Sequence, residues 1–246
     1  MSELPGGTVT FVFTDVEGST RLLQTLGDRY GEVVRDHRRL VREGLGGAGG
    51  TEIDTQGDAF FFSFARASDA ARGAVDAQRA LRNHGWPDGA EVRVRMGLHT
   101  GEPSVGEEGY LGLDVVRAAR ISAAGHGGQI LVSETTRALL GNVLPEGVTV
   151  HDHGETRLKD LQHERIFELA VDGGPASFPP LKTEAPKSPG DALAERIKRQ
   201  VEQDIERSFS DISPPTLTGR RAFSGPIIAL LVGIAIAVIV LALYLN

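Results

Sequence analysis

Apolar and polar residues along the first two thirds of the chain switch repeatedly between two periods. Residues 9–14 ("VTFVFT"), 51–64, 92–100, 130–133 and 165–169 are short runs rich in β-branched and aromatic residues, which read as strands. Between them, residues 19–45, 68–83 and 113–124 place apolar side chains three and four apart, the helical spacing, and the last of these stops at Gly125 and Gly127. Such alternation predicts one α/β domain over residues 8–171. Within 51–64, Gly57-Asp58 interrupts the β-prone run, so a hairpin is expected with Asp58 in its turn.

Beyond residue 171 the pattern changes. Residues 172–190 contain "GGPASFPPLKTEAPKSPG", a Pro-rich stretch that reads as a linker with no core of its own. Over 191–212, Leu193, Ile197, Val201, Ile205 and Phe209 recur every four positions and lay an apolar stripe on a charged helix. The stripe fits either a juxtamembrane dimerisation helix or a solvated spacer, because strict four-residue spacing drifts around the helix and is no heptad. A second linker, 213–226, leads to "IIALLVGIAIAVIVLALYL" at 227–245, uncharged and apolar. At ~1.5 Å per residue this segment matches a ~30 Å hydrocarbon core, so it is expected to be a transmembrane helix. Arg220 and Arg221 on its N-terminal flank place the main body in the cytoplasm, as a single-pass, C-terminally anchored protein of the cell membrane.

Composition removes several classes. The formal net charge of -7 gives no nucleic-acid footprint. Zero cysteines exclude disulfides, thiolate metal sites and a Cys nucleophile, and fit a reducing compartment. The opening "MSELPGG" lacks the basic start and apolar core of a secretory signal. His151 and His153 alternate along one strand face, yet His37, His84, His99, His126 and His163 are scattered without ligand spacing, so a surface strand is the better reading than a metal site.

Asp15 ends an apolar strand and Asp58 sits at a hairpin turn, so two carboxylates are expected at one edge of a sheet. Mg²⁺ is commonly held by one or two carboxylates plus substrate phosphates, and paired metals can steady both attacking and leaving oxygens. The turn Glu17-Gly18-Ser19-Thr20 opens a helix whose free amides and positive dipole end favour phosphate. Each piece alone has a commoner explanation, since Asp before a helix is often a cap and Gly-Asp often a plain turn.

In order along the chain, "FVFTDVEGST", "DTQGDAFFFSF", "RVRMGLHTGEP", "GYLGLDVVRAARISAAGHGGQILVS" and "GETRLKDL" resemble the catalytic domain of class III nucleotide cyclases, the adenylate and guanylate cyclases, over about residues 8–171. The resemblance implies an antiparallel-dominated α+β domain, an α/β sandwich related to the ferredoxin-like palm, working as a head-to-tail homodimer with active sites at the interface. It implies Asp15 and Asp58 as ligands of two Mg²⁺ or Mn²⁺ ions with Val16 lending its carbonyl, Arg120 as the transition-state arginine, and Lys159 as the lysine reaching the terminal phosphates. The implied reaction is attack of a ribose 3′-hydroxyl on the α-phosphate of a nucleoside triphosphate with release of pyrophosphate.

Three positions depart from the family pattern. Where adenylate cyclases carry a base-recognising Lys this chain has Asp54, their partner Asp is replaced by Gly109, and the ribose-orienting Asn by Val116. A carboxylate accepts hydrogen bonds, and guanine offers two adjacent donors where adenine offers one beside an acceptor, so Asp54 leans toward GTP over ATP; cytosine's amino group is also compatible. Loss of the Asn leaves a second reading open, a catalytically silent, nucleotide-binding dimer module signalling to a membrane or other partner. A diguanylate cyclase is disfavoured, because no acidic-Phe sequence follows the Gly pairs at 46–47 and 49–50.

Overall fold

The computed structural model describes residues 4–106, 109–159, 161, 163–183, 196, 199 and 203. The apolar stretch at 227–245 and nearly all of 191–226 lie outside the described residues, and no helix within them is long and apolar enough to cross a membrane.

Strand β1 (Val9–Val16) is buried along its whole length, as an unbroken apolar run requires. Helix α1 (Ser19–Leu26) follows, then a 3-10 turn at Gly27–Arg29 and helix α2 (Tyr30–Gly47). One continuous helix was expected over 19–45. Gly27 breaks it by turning to φ +50°, a left-handed region that glycine enters without a Cβ penalty. Strands β2 (Thr51–Gln56) and β3 (Ala59–Phe64) form the expected hairpin about Gly57 and Asp58, and helix α3 (Ala67–Asn83) leads to β4 (Val94–Gly101).

This βαββαβ unit pairs its strands in the order β2-β3-β1-β4 with every neighbour antiparallel, which is the ferredoxin-like arrangement. The chain then adds a small hairpin, β5 (Ser104–Gly106) and β6 (Gly109–Leu111), and helix α4 (Leu113–Ala124). Strand β7 (Ile130–Ser133) joins β4 in parallel, the one parallel pairing in the sheet. Helix α5 (Glu134–Leu140) and the antiparallel β8 (Val148–Arg157) and β9 (His163–Val171) complete seven strands in the order β2-β3-β1-β4-β7-β9-β8. His151 and His153 lie on β8, an edge strand.

The period-two alternation of β1 sorts its side chains between two cores. Val12 and Val16 join Phe60, Phe62, Phe64, Met96 and Leu98 beneath α2 and α3. Phe11 and Phe13 turn the other way, onto Phe61 and the Val115, Ala118 and Ala119 face of α4. By the same parity Asp15 falls on the α4 side. Helix α4 can lie that close only because β4 carries Gly97, where an added Cβ would stand 2.2 Å from the Ser122 amide nitrogen. Gly97→Ala is therefore expected to push α4 off the sheet and cost roughly 1–3 kcal/mol, measured by denaturant unfolding against wild type.

His37 on α2 is fully buried and tilted against Phe60, and neither ring nitrogen has a hydrogen-bond partner. Burial, with the nearby charges of Arg38 and Arg42, pushes its pKa down to about 4. The unfolded chain takes up the proton near pH 6.5, so it binds more protons than the folded chain between those values, and stability falls as pH drops through that window. The expected loss from this group approaches about 3 kcal/mol by pH 4. His37→Leu should flatten that part of the pH–stability curve, read by unfolding at pH 7, 5.5 and 4.5.

Candidate active site

Asp15 lies at the end of β1 and Asp58 in the β2–β3 turn, and burial with the charges of Asp58 and Asp15 raises the Tyr30 pKa, so both carboxylates lie near one ring. Asp15 is 3% exposed and Asp58 5%. The amide of Val16 donates to Asp58 Oδ2 at 3.2 Å, so the second carboxylate is tied to the backbone one residue beyond the first. The Ser19 hydroxyl also donates to Asp58. Burial raises the Asp58 pKa above the usual carboxylate range, and bonds from its own amide, Ser19 and Val16, with the charge of Arg95, offset only part of that rise.

Arg95 is the residue that sequence reasoning missed. Strands β1 and β4 place it directly opposite Asp15. Its Nε and Nη2 donate to Asp15 Oδ2 at 3.0 and 2.5 Å, and its Nη1 donates to the Ala123 carbonyl at 3.1 Å. Both side chains are at most 5% exposed. One guanidinium thus compensates a buried carboxylate and ties it to α4. The signal was present, because an Arg inside the apolar strand "VRVRMGLH" needs a buried partner.

The turn after β1 matches its expected shape but not all of its expected chemistry. Gly18 adopts φ +70° and its carbonyl accepts from the amides of Arg21 and Leu22, opening α1 at Ser19 with Thr20 next in its first turn. Glu17, grouped with these residues as a phosphate contact, directs its carboxylate elsewhere: to the Lys182 ammonium at 2.7 Å and the Gly127 amide, with the His126 ring 3.8 Å away. A carboxylate would repel phosphate, and here it serves as a counter-ion. Its burial alone would raise its pKa, but the Lys182 bond and charge carry the net shift downward.

Arg120 is 2% exposed on α4 and lines a small cavity, about 10 Å³, with Leu158, Lys159 and Lys182. Asp15 lines a different small cavity, with Phe13, Arg95, Ala119 and Ser122. The structure therefore groups Arg120 with Lys159 and sets Asp15 in a separate cavity. A polar chain fixes the start of α4: His99 bonds Ser133 Oγ at 2.9 Å and Asp114 Oδ1 at 3.1 Å, and Arg117 joins Asp114 at 2.8 Å to Glu164 at 2.7 Å. The His99 hydrogen bond is the largest of the effects that hold Asp114 below the usual carboxylate pKa.

The three departures from the family pattern lie on separate elements. Asp54 on β2 accepts from the Thr55 amide at 2.7 Å and pairs with Arg196 at 2.6 Å. Gly109 opens β6 at φ +128°, and a Cβ there would approach Ile53, next to Asp54, at 3.8 Å. Val116 is buried on α4 at 5% exposure. Among the described residues no group of three or more His, Cys, Asp or Glu side chains is arranged to hold a metal ion. Two carboxylates and a backbone carbonyl still fit a hard cation whose remaining ligands are phosphate oxygens, and a cation beside Asp58 would favour the ionised form that burial disfavours.

The Adenylate and Guanylate cyclase catalytic domain family matches residues 2–170, and the chain belongs to it. An uncharacterized protein of Mycobacterium tuberculosis is 36% identical over 192 residues, covering 77% of this chain. The chain spans 65% of that relative's length. An adenylate cyclase of Podospora anserina is 30% identical, over 67% of this chain and 10% of its own length. Among solved structures, a Trypanosoma brucei adenylate cyclase in its monomeric state superposes with a TM-score of 0.67 at 25% identity, over 75% of this chain and 98% of that one.

Removing Arg95 leaves Asp15 buried without its cation. Arg95→Met is expected to destabilise by roughly 3–5 kcal/mol, and the double change with Asp15→Leu to recover much of that loss. Denaturant unfolding of the two variants against wild type checks both.

Proposed function

We propose that this chain is a membrane-anchored nucleotide cyclase, converting a nucleoside triphosphate, GTP or ATP, to a 3′,5′-cyclic nucleotide and pyrophosphate in a homodimer. The observation that carries this reading is Asp58 tied to the Val16 amide, one residue beyond Asp15 and beside the start of α1. Asp15, Asp58 and the Val16 carbonyl are the residues that would hold two Mg²⁺ or Mn²⁺ ions. Such ions, when bound, neutralise the triphosphate and ease deprotonation of the attacking hydroxyl.

The chain's own groups then have distinct tasks. Asp58, fixed by Val16 and Ser19, keeps the cation-binding edge rigid. The first-turn amides of α1 face phosphate oxygens, Arg120 supports charge developing at phosphorus as the ribose oxygen bonds to it, and Lys159 grips the departing pyrophosphate. The grouping of Arg120 with Lys159, in a cavity other than the one Asp15 lines, suits a site shared between two chains. Asp54 would accept from guanine N1-H and N2-H₂, displacing Arg196, an exposed and therefore weakly held partner. The apolar segment 227–245 would confine chains to the cytoplasmic face of the cell membrane and raise their effective concentration for dimerisation.

Val116 supports a second reading. It stands buried where the family presents a ribose-orienting amide, and a hydrocarbon side chain makes no hydrogen bond, so the domain would bind nucleotide and signal to a membrane or other partner without turnover. Product identification decides between them. Full-length protein given each of the four ribonucleoside triphosphates with Mg²⁺ or Mn²⁺ is expected to form cyclic GMP ahead of cyclic AMP; equal turnover of ATP ends the guanine argument, and no product at all favours the silent module. Asp58→Asn should lower turnover roughly a hundredfold or more with the fold retained by circular dichroism.

A further inference from the structure

Residues 172–183 were expected to be spacer, and instead they pack against the domain. Asp172 pairs with Arg79 at 2.7 Å and its amide donates to the Gly147 carbonyl at 2.9 Å. Phe178 stacks near the His126 ring, and His126 Nε2 donates to the Pro180 carbonyl at 3.0 Å. Leu181 packs on the apolar cluster of Ile121, Ala124, Leu131, Leu158 and Ile166. The strap is thus seated by an ion pair, a ring contact and an apolar anchor.

What the strap delivers is Lys182. Its amide donates to the Ala124 carbonyl at 2.9 Å, and its ammonium donates to the Gly125 carbonyl at 3.0 Å and to Glu17 Oε1 at 2.7 Å. It therefore sits at the C-terminal end of α4, where the helix dipole favours a cation. With Thr183 it lines the same cavity as Arg120 and Lys159. Cations from three separate segments thus line one small cavity of about 10 Å³, and the third lies beyond residue 170, where the family match ends. Convergent Arg and Lys side chains recognise the oxygens of a polyphosphate: the guanidinium by its fork, the ammonium as point charges.

We propose that Lys182 is a third substrate-binding cation of this site, which joins Arg120 and Lys159 in holding the β- and γ-phosphates of the nucleoside triphosphate. This rests on the cyclase reading above. Glu17 is the counter-ion that holds the ammonium in position before phosphate arrives, and phosphate oxygens compete with it for the same charge.

The test uses full-length protein and inorganic tripolyphosphate with Mg²⁺, followed by titration calorimetry, alongside KM and kcat with nucleotide. Lys182→Ala is expected to weaken tripolyphosphate binding roughly tenfold, the loss of one charge-assisted contact, and to raise KM similarly with a smaller change in kcat. Lys182→Arg should restore most of the affinity. Glu17→Gln, which removes the competing carboxylate, should strengthen tripolyphosphate binding.

If Lys182 merely clasps the strap, Lys182→Ala and Glu17→Gln break the same clasp and must shift affinity in the same direction, which overturns the proposal. Unchanged tripolyphosphate affinity in Lys182→Ala, or no binding to wild type, also overturns it, while cyclic product formation then leaves the cyclase reading intact. Tripolyphosphate binding that depends on Lys182, with no cyclic product from any nucleotide, supports the proposal for the cavity and removes the cyclase reading instead.

Discussion

A carboxylate at the buried end of a central strand must be compensated, and that requirement organises this domain. Asp15 shares a sheet face with Phe11 and Phe13, under α4, where an unpaired charge would be prohibitive. Arg95, opposite it on β4, meets the requirement and reaches on to the Ala123 carbonyl, so the same guanidinium joins β1, β4 and α4. Replacing a buried ion pair with hydrocarbon is often neutral or stabilising. The pair is therefore better explained by what a carboxylate can do at a strand end than by what it adds to the fold.

The position of α4 follows from the same region. Gly97 lets the helix approach the sheet, Phe11, Phe13 and Phe61 fill the space beside it, and the His99–Asp114–Arg117–Glu164 chain fixes its first turn. Arg120 then emerges beside Lys159 and Lys182. The helix dipole and two carbonyls at its C-terminal end hold Lys182, so one helix orders both the arginine and the strap lysine.

Much of this was legible from residues alone because local pattern and burial agree. The six-residue apolar run fully buries β1, the Gly57-Asp58 turn appears where the β-prone run breaks, and Ile130–Ser133 is the strand its composition predicts. Helix α1 ended early because Gly27 supplies a left-handed turn, which a count of apolar positions does not register. The short hairpin β5–β6 and helix α5 went unread, since elements of three to seven residues hold too few periods to stand out.

By itself the sequence determined the alternating α/β order, the strand-end and turn positions of the two aspartates, and the order of motifs that places the chain among nucleotide cyclase domains, because periodicity and residue spacing are properties of the chain. Only the tertiary structure decided that Arg95 neutralises Asp15, that Glu17 turns to Lys182 instead of phosphate, and that a Pro-rich stretch packs on the domain. The physical reason is range. Arg95 and Asp15 are eighty residues apart in the chain and Lys182 and Glu17 a hundred and sixty-five, and charges so separated find one another only when sheet register and helix packing have brought their backbones together.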